Sequence, residues 1–160
     1  MLSPEDVQTA LDQLGCDIQV TRYETSTATS QEAADSIGTS LGSIAKSLCF
    51  LVDGEPVIIL AAGDQRMDER KIAKLYEVGR KKVKMANAEK TIELTGYAIG
   101  GVPPVGHIQK LPVLIDKTLE RFELVYGAAG APNAIFPIPL AQLVEITDGK
   151  VVNIARDPDA

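Results

Sequence analysis

The chain has no tryptophan, a single histidine and only two cysteines among its 160 residues. Cys16 and Cys49 are too few for a disulfide framework in a chain of this length, and no Cys-x-x-Cys pair exists for redox or metal chemistry. With His107 as the one histidine, the ligand set of a His/Cys metal site is missing as well. We therefore expect reduced thiols, no metal and no cofactor.

Long apolar runs are also absent. No segment approaches the roughly 20 apolar residues that cross a bilayer, and residues 1–6 are acidic and lack the apolar run of a secretory signal. Hydrophobic residues make up 45% of the chain, and we find no repeat, low-complexity tract or linker. The composition predicts one cytoplasmic domain over residues 1–160, without a membrane segment.

The charge is unevenly distributed. A net charge of -6 disfavours indiscriminate binding to nucleic acid. Residues 70–90 nevertheless contain eight lysines and arginines, opposed only by Glu77 and Glu89. This stretch is either an ordinary solvated surface or a local patch that faces phosphates, and composition leaves both interpretations open.

Local signals predict helices alternating with strands. Capping residues mark helices that begin after Ser3, Thr29, Asp68 and Asn87. A short helix is expected at 140–144. A hairpin turn at Asp53-Gly54 joins two apolar strands, and the predicted strands as a whole are 18–23, 44–52, 56–62, 113–115, 123–126 and 151–154. The pattern predicts a single α+β domain with a curved, mixed, mostly antiparallel, barrel-like sheet surrounded by helices.

Lys46 is the first residue that the strand pattern does not explain. Alternation places it on the same strand face as Ile44, Leu48 and Phe50. A lysine among large apolar side chains either extends its ammonium to solvent or points into a polar cavity. In the second case it would be a cation at the floor of a pocket, directed at a phosphate or carboxylate.

The loop of residues 100–107 is the second unusual feature. Gly100 and Gly101 permit positive φ and close approach to a ligand, while the prolines stiffen the loop. Such a loop can present backbone N–H groups to an anion or a polarised carbonyl, although a rigid structural turn explains it equally well. His107 follows directly and titrates near neutral pH; its role is either functional or structural.

A second glycine-rich segment covers residues 126–133. Its small residues permit close backbone approach, and Asn133 offers both donor and acceptor groups; the alternative is a long surface turn. We find no nucleophile elbow, no P-loop and no metal-binding helix motif. Cys49 lies among apolar residues, which predicts an inert thiol.

Taken in order, these motifs resemble the YbaK/prolyl-tRNA synthetase-associated editing domain family from about residue 20 to the C-terminus. The matching segments are 25–34, 44–48, the Asp53-Gly54 hairpin, 63–66 with Asp68, 94–97, 100–106, 127–130 and 139–143. The resemblance implies a free-standing aminoacyl-tRNA deacylase, acting on tRNA for proline that carries a small amino acid such as alanine or cysteine. It also implies a curved mixed sheet enclosed by helices.

The resemblance assigns roles to two of these features. Lys46 matches the family's functional lysine, which is expected to engage the phosphate or ribose of the 3′-terminal adenosine. Residues 100–104 match the family's GxxxP loop, so the amides near Gly100 and Gly101 would face the ester carbonyl. An aminoacyl ester is already activated, so the substrate's own thiol or free ribose hydroxyl can assist in place of a protein nucleophile.

Further residues are predicted to shape the substrate pocket. His107 and the turn from Gly127 to Gly130 would form its walls, with Tyr23 and Thr27 at the rim; the full set of expected substrate-binding residues is Tyr23, Thr27, Pro104, Gly106, His107, Gly127, Gly130 and Asn133. The turn is less basic and richer in proline than the cysteine-specific branch of the family would have. This departure counts against cysteine as the substrate and leaves alanine, serine, threonine or another small residue open.

The expected partner is the aminoacylated 3′ end of tRNA, with an aminoacyl-tRNA synthetase as a possible second partner and a monomer or homodimer as the assembly. Two other functions fit the same residues. One is a binding module that holds an aminoacyl-adenylate or nucleotide without hydrolysis. The other is a structural protein that docks on a synthetase.

Overall fold

One eight-stranded sheet organises the computed structural model, which describes residues 1–158. The strands are β1 (Thr21–Arg22), β2 (Ile44–Val52), β3 (Glu55–Ala62), β4 (Val83–Met85), β5 (Val113–Asp116), β6 (Leu124–Ala128), β7 (Ala134–Pro139) and β8 (Lys150–Val152). The α-helices are α1 (Pro4–Gln13), α2 (Ser30–Ile37), α3 (Glu69–Leu75), α4 (Ala88–Thr95) and α5 (Leu140–Thr147). No helix in this part of the chain is long and apolar enough to cross a membrane.

The strand order is β1-β7-β6-β2-β3-β5-β8, with β4 placed beside β2. Four pairings are antiparallel (β1–β7, β6–β7, β2–β3 and β2–β4), and three are parallel (β2–β6, β3–β5 and β5–β8). The predicted mixed, mostly antiparallel α+β sheet is confirmed. Its path runs between two separate ends, β1 and β8, so among the described residues it is an open sheet and not a closed barrel.

The β2–β3 hairpin forms the centre of the sheet. Its turn residues Asp53 and Gly54 have φ angles of 51° and 84°, the positive values that a tight hairpin turn requires. On β3, Ile58 and Leu60 pack into one apolar cluster and Ile59 into another on the opposite face. Because β3 is buried on both faces, its sequence is continuously apolar instead of alternating.

Helices cover both faces of the sheet. Val7 and Leu11 of α1 and Leu143 of α5 pack on the face of Ile58 and Leu60, and Ile72 of α3 packs on the face of Ile59. Ala33 and Ala34 of α2 cover a smaller cluster at Ile44 and Ile135. These small side chains let α2 lie close to the start of β2.

The predicted helix starts are confirmed, but two strands were missed. The helices α1 to α4 begin directly after Ser3, Thr29, Asp68 and Asn87. The strand predicted at 18–23 is reduced to β1, and β4 and β7 were not expected. The sequence of β7 contains Pro137 and Pro139, which disfavour a central strand. They are tolerated because β1 pairs only with residues 134 and 135, leaving the proline-containing half with a neighbour on one side.

A buried carboxylate fastens the C-terminal part of the chain to the sheet. Asp116, at the end of β5, is fully buried. It accepts hydrogen bonds from the backbone N–H of Ile154 at 3.0 Å and of Thr118 at 3.0 Å, and also from the Thr118 hydroxyl. It therefore holds the segment after β8 in place.

Replacing this carboxylate should destabilise the fold. Asp116→Ala leaves the N–H of Ile154 buried without an acceptor, and we expect it to lower the free energy of unfolding by about 2–3 kcal/mol. Chemical denaturation measures the change. Glu120→Ala, an exposed change in the same segment, should stay within about 0.5 kcal/mol of the wild type; equal stabilities for the two variants would contradict the role of Asp116.

Candidate active site

A cavity of about 300 Å³ lies where β2 changes its neighbour on one edge. The start of β2 pairs with β6 through residues 44 and 45, and its end pairs with β4 through residues 50–52. Among the described residues, no strand pairs with residues 46–48 along this edge. The cavity opens beside this interruption, and α2 and the loop at residues 99–102 contribute its other walls.

The lining consists mainly of small apolar groups and hydroxyls. It includes residues 27–30 and Ala33 before and within α2, residues 44–48 of β2, Ile99, Gly100 and Val102 of the glycine-proline loop, and Ala128 and Ile135 of β6 and β7. In the part of the chain that the structure describes, no carboxylate and no histidine lines it. Within residues 1–158, no group of His, Cys, Asp or Glu side chains is placed to hold a metal ion.

Of the described residues in this lining, Lys46 is the one with a charged side chain. It is partly buried, and burial lowers the pKa of its ammonium, with a smaller contribution from the positive charge of Arg66. Within residues 1–158, no carboxylate forms a salt bridge with Lys46. An ammonium without a counter-charge at a cavity wall is suited to hold an anionic group of a ligand.

Two buried hydroxyls line the same cavity. The oxygens Oγ1 of Thr27 and Oγ of Ser47 are buried and have no hydrogen-bond partner in the described part of the chain. A buried hydroxyl without a partner costs free energy. A bound ligand with donors or acceptors at this place would satisfy both groups.

The two adjacent glycines of the loop have different roles. Gly100 lines the cavity with φ at 93°, and a Cβ there would lie 3.3 Å from the carbonyl oxygen of Ala28. Its N–H donates no hydrogen bond to any described residue. The N–H of Gly101, in contrast, donates to the carbonyl of Ala98 at 3.0 Å. Of the two amides, only that of Gly100 is free to face a carbonyl group in the cavity.

Pro104, Gly106 and His107 are not brought to this cavity. They line a separate cavity of about 390 Å³. The Nε2–H of His107 donates to the carbonyl of Pro103 at 2.7 Å, and burial lowers the pKa of the imidazole. The structure therefore places this part of the loop, including the histidine, outside the group formed by Lys46 and Gly100.

The remaining predicted residues support the walls of the cavity from behind. Gly127 packs against the ring of Phe136, and the N–H of Gly130 donates to the carbonyl of Gly101 at 2.8 Å. Asn133 donates from Nδ2 to the carbonyl of Tyr23 at 3.1 Å. These four predicted residues, Tyr23, Gly127, Gly130 and Asn133, are absent from the lining and hold the segments that form it.

The sequence reasoning missed Ser47. It follows Lys46 directly, but strand alternation places the two on opposite faces of β2, so the pattern that singled out Lys46 does not include Ser47. Both line the cavity because the interruption beside residues 46–48 opens the edge of the strand, where both faces meet. The signal that could have identified Ser47 is a hydroxyl next to Lys46 in a strand whose other residues are apolar.

Fold and site together define the class of protein: among the described residues, it has an open mixed sheet and a small, partly polar cavity whose lining carries one cation without a salt bridge. The model of the aminoacyl-tRNA editing domain matches residues 24–146. The uncharacterised protein YwhH of Bacillus subtilis (strain 168) is 37% identical over 158 residues, which cover 98% of this chain and 99% of that relative. The multifunctional Ser/Thr-tRNA deacylase ProXp-y of Escherichia coli (strain K12) is 29% identical over 91% of this chain and 89% of its own.

A solved structure agrees with these relatives. The crystal structure of a candidate trans-editing enzyme for prolyl tRNA synthetase superimposes with a TM-score of 0.90 at 35% identity, covering 98% of this chain and all of that one (100%). The chain belongs to the aminoacyl-tRNA editing domain family. This confirms the family predicted from the sequence, and with it the enzyme class, an aminoacyl-tRNA deacylase.

The environment of His107 predicts a pH dependence of stability. Burial holds the pKa of the folded imidazole below the ordinary value of 6.5. As the pH falls through about 6.5, the unfolded chain binds a proton that the folded protein does not, and stability is lost. His107→Gln keeps a donor for the carbonyl of Pro103 but cannot titrate.

We therefore expect the melting temperature of the wild type to fall more steeply than that of His107→Gln between about pH 7.5 and 5.5. Thermal unfolding of both proteins in the same buffers measures the difference, in which the shared contribution of the carboxylates cancels. Parallel curves would show that the imidazole takes up its proton equally well in the folded state.

Proposed function

We propose that the protein acts in trans to hydrolyse the ester between a small amino acid and the 3′ end of tRNA, foremost tRNA for proline carrying alanine or cysteine. The observation that carries this proposal is the unpaired ammonium of Lys46 in the same small cavity as the amide of Gly100 and the hydroxyls of Thr27 and Ser47. Action in trans is supported by relatives that match over nearly their whole length.

Lys46 binds the terminal nucleotide. The 3′-terminal adenosine of tRNA carries a phosphate on one side of its ribose and the ester on the other. A lysine at the cavity wall without a carboxylate partner is placed to hold that phosphate, or the ribose next to it, by charge-assisted hydrogen bonds. The ester then enters the space lined by Gly100 and Ser47.

Gly100 supplies the stabilisation of the transition state. When a nucleophile adds to the ester carbonyl, negative charge develops on its oxygen, and a fixed N–H group lowers the energy of that charge. The N–H of Gly100 lacks another acceptor within the described residues and its φ of 93° is accessible to glycine at little cost. The bond between Gly130 and Gly101 keeps this loop in position.

The nucleophile comes from water, assisted by the substrate. Cys49 lies in the core, and burial raises the pKa of its thiol, so it is not a reactive thiolate. The cavity lining offers no carboxylate or imidazole base. Water adds to the carbonyl carbon, the carbon–oxygen bond to the ribose breaks, and the ribose oxygen takes the proton. The neighbouring ribose hydroxyl, or a thiol of the amino acid, can guide the water without any protein base.

The size of the cavity limits the amino acid. Its volume of about 300 Å³ suits a small side chain beside the ester, and Ala33 and Ala128 are among the residues that line it. The hydroxyls of Thr27 and Ser47 can bond the amino group or a polar side chain of the substrate. Alanine, cysteine, serine and threonine all fit these conditions, so direct comparison has to rank them.

The central test is deacylation of tRNA for proline charged separately with alanine, cysteine, serine, threonine and proline. We expect release of at least one of the small amino acids and little release of proline. Lys46→Ala should lower kcat/KM by about 10- to 100-fold, the value of a hydrogen bond to a charged group. Lys117→Ala, which removes an exposed lysine elsewhere, is the matched control and should keep the wild-type rate.

Full activity of Lys46→Ala would remove the lysine from the mechanism. Failure of the wild type to release any of the amino acids would reject hydrolysis on this tRNA. Binding of nucleotides or aminoacyl-adenylates would then be measured next.

The unpartnered hydroxyls generate a separate prediction. Because they have no hydrogen bond to lose, Ser47→Ala and Thr27→Val should leave the melting temperature unchanged or raise it, while deacylation falls several-fold. Thr95→Val is the matched control: it removes a buried hydroxyl that donates to the carbonyl of Thr91 at 2.7 Å, away from the cavity. It should lower the melting temperature and spare the rate per folded molecule. A lower melting temperature with an unchanged deacylation rate for Ser47→Ala and Thr27→Val would show that the two hydroxyls stabilise the fold and do not serve the reaction.

A further inference from the structure

Positive charge is concentrated in one part of a chain that is acidic overall. Residues 66–84 contain eight lysines and arginines and three aspartates and glutamates, a net charge of +5, whereas the whole chain carries -6. The rest of the protein is therefore strongly acidic. This separation is strong enough to orient an anionic partner toward one side of the molecule.

The fold adds a distant arginine to this region. Ala155 forms a β-bridge with Met67, and the N–H of Arg156 donates to the carbonyl of Arg66 at 2.8 Å. Arg156 thereby joins Arg70 and Arg80 along a groove of about 370 Å³. We refer to the lining residues Arg70, Arg80 and Arg156, together with the adjoining Arg66, as the arginine groove.

The two acids in the groove are already engaged. Asp68 accepts hydrogen bonds from the backbone N–H groups of Arg70 at 2.9 Å and Lys71 at 3.4 Å, and Glu69 pairs with Arg80. Within residues 1–158, the guanidinium groups of Arg66, Arg70 and Arg156 form no salt bridge. All three residues are exposed. The groove lining therefore presents the guanidinium groups of Arg70 and Arg156, with Arg66 next to Arg156 through the backbone, and among the described residues no carboxylate pairs with any of the three.

The arginine groove begins close to the proposed active site. Lys46 on β2 pairs with Ala61 on β3, and Arg66 follows the end of β3 by four residues, so both cations lie at the end of the hairpin opposite its turn. Backbone pairing joins Arg66 to Arg156. Lys46, Arg66 and Arg156 are thus linked through the hairpin and this backbone pairing, and Arg156 shares its groove with Arg70. A phosphodiester chain whose terminal nucleotide enters the cavity would place its preceding phosphates near these arginines. Guanidinium groups suit such phosphates because they bind them in a bidentate manner.

We propose that the arginine groove binds the phosphates of the single-stranded 3′ end of tRNA, on the 5′ side of the terminal adenosine held at Lys46. This proposal rests on the proposed deacylase function, since it takes the strand whose end enters the cavity as the ligand. Phosphate contacts of this kind supply affinity and register without reading sequence. They explain how an acidic protein holds RNA.

The test compares a long and a minimal substrate. The double variant Arg70→Gln/Arg156→Gln is assayed on charged tRNA and on aminoacylated adenosine, with Lys110→Gln/Lys117→Gln, two exposed lysines elsewhere, as control. We expect kcat/KM for charged tRNA to fall about tenfold more than that for the minimal substrate. The salt dependence of the tRNA reaction should weaken by a log–log slope of about 0.7 for each lost phosphate contact.

Binding separates this proposal from the deacylase function. Fluorescence anisotropy with a short single-stranded RNA that has the tRNA 3′ sequence should show weaker binding to the groove variant than to the wild type and the control, whether or not any ester is hydrolysed. Equal binding and an equal salt slope for all three proteins would overturn the proposal. An equal loss on both substrates would overturn it too, since it would indicate damage to the cavity.

Discussion

The molecule depends on how one edge of β2 is shared. β6 pairs with its start in parallel, and β4 pairs with its end in the antiparallel direction. Each of these short strands covers only one end of the edge, so residues 46–48 between them have no strand neighbour there among the described residues. This interruption in the middle of the central hairpin creates the cavity, and it places an ammonium and a hydroxyl from opposite strand faces beside the same space.

The site is built almost entirely from backbone and small groups, and this fits the reaction. An aminoacyl ester needs positioning and stabilisation of a developing oxyanion more than it needs a strong nucleophile. The loop at Gly100 is accordingly held by the hydrogen bond from the N–H of Gly130 to the carbonyl of Gly101. The neighbouring segment at Thr27 is held by the hydrogen bond from its N–H to the carbonyl of Pro132 at 2.5 Å. Within the glycine-rich segment 126–133, Ala128 lines the cavity, whereas Gly127, Gly130 and Asn133 lie behind the lining and hold the segments that form it.

The uneven distribution of charge means that the two parts of the proposed RNA ligand, its terminal nucleotide and the strand before it, meet different numbers of cations. Among the described residues, the cavity lining contains one cation and no anion, while residues 66–84 carry several cations and the rest of the chain is acidic. Repulsion from the acidic remainder would limit the orientations in which RNA approaches. The same arrangement explains how a net charge of -6 is compatible with a nucleic-acid substrate.

Local chemistry in the sequence determined the helix starts and the central hairpin. Ser3, Thr29, Asp68 and Asn87 offer side-chain or capping-box bonds to free N–H groups at the start of a helix, and Asp53-Gly54 accepts positive φ; both effects act within a few residues. The order of the motifs was also sufficient to identify the family, and Lys46 stood out because an ammonium is costly among apolar side chains.

Only the tertiary structure decided which of the singled-out residues meet. His107 and Gly100 are seven positions apart yet line different cavities. Arg70 and Arg156 are separated by more than half of the chain yet line the same groove. Strand neighbours, edges and the interruption beside β2 depend on pairings between distant segments. Such pairings follow from the packing of the whole core, and no local pattern of residues specifies them.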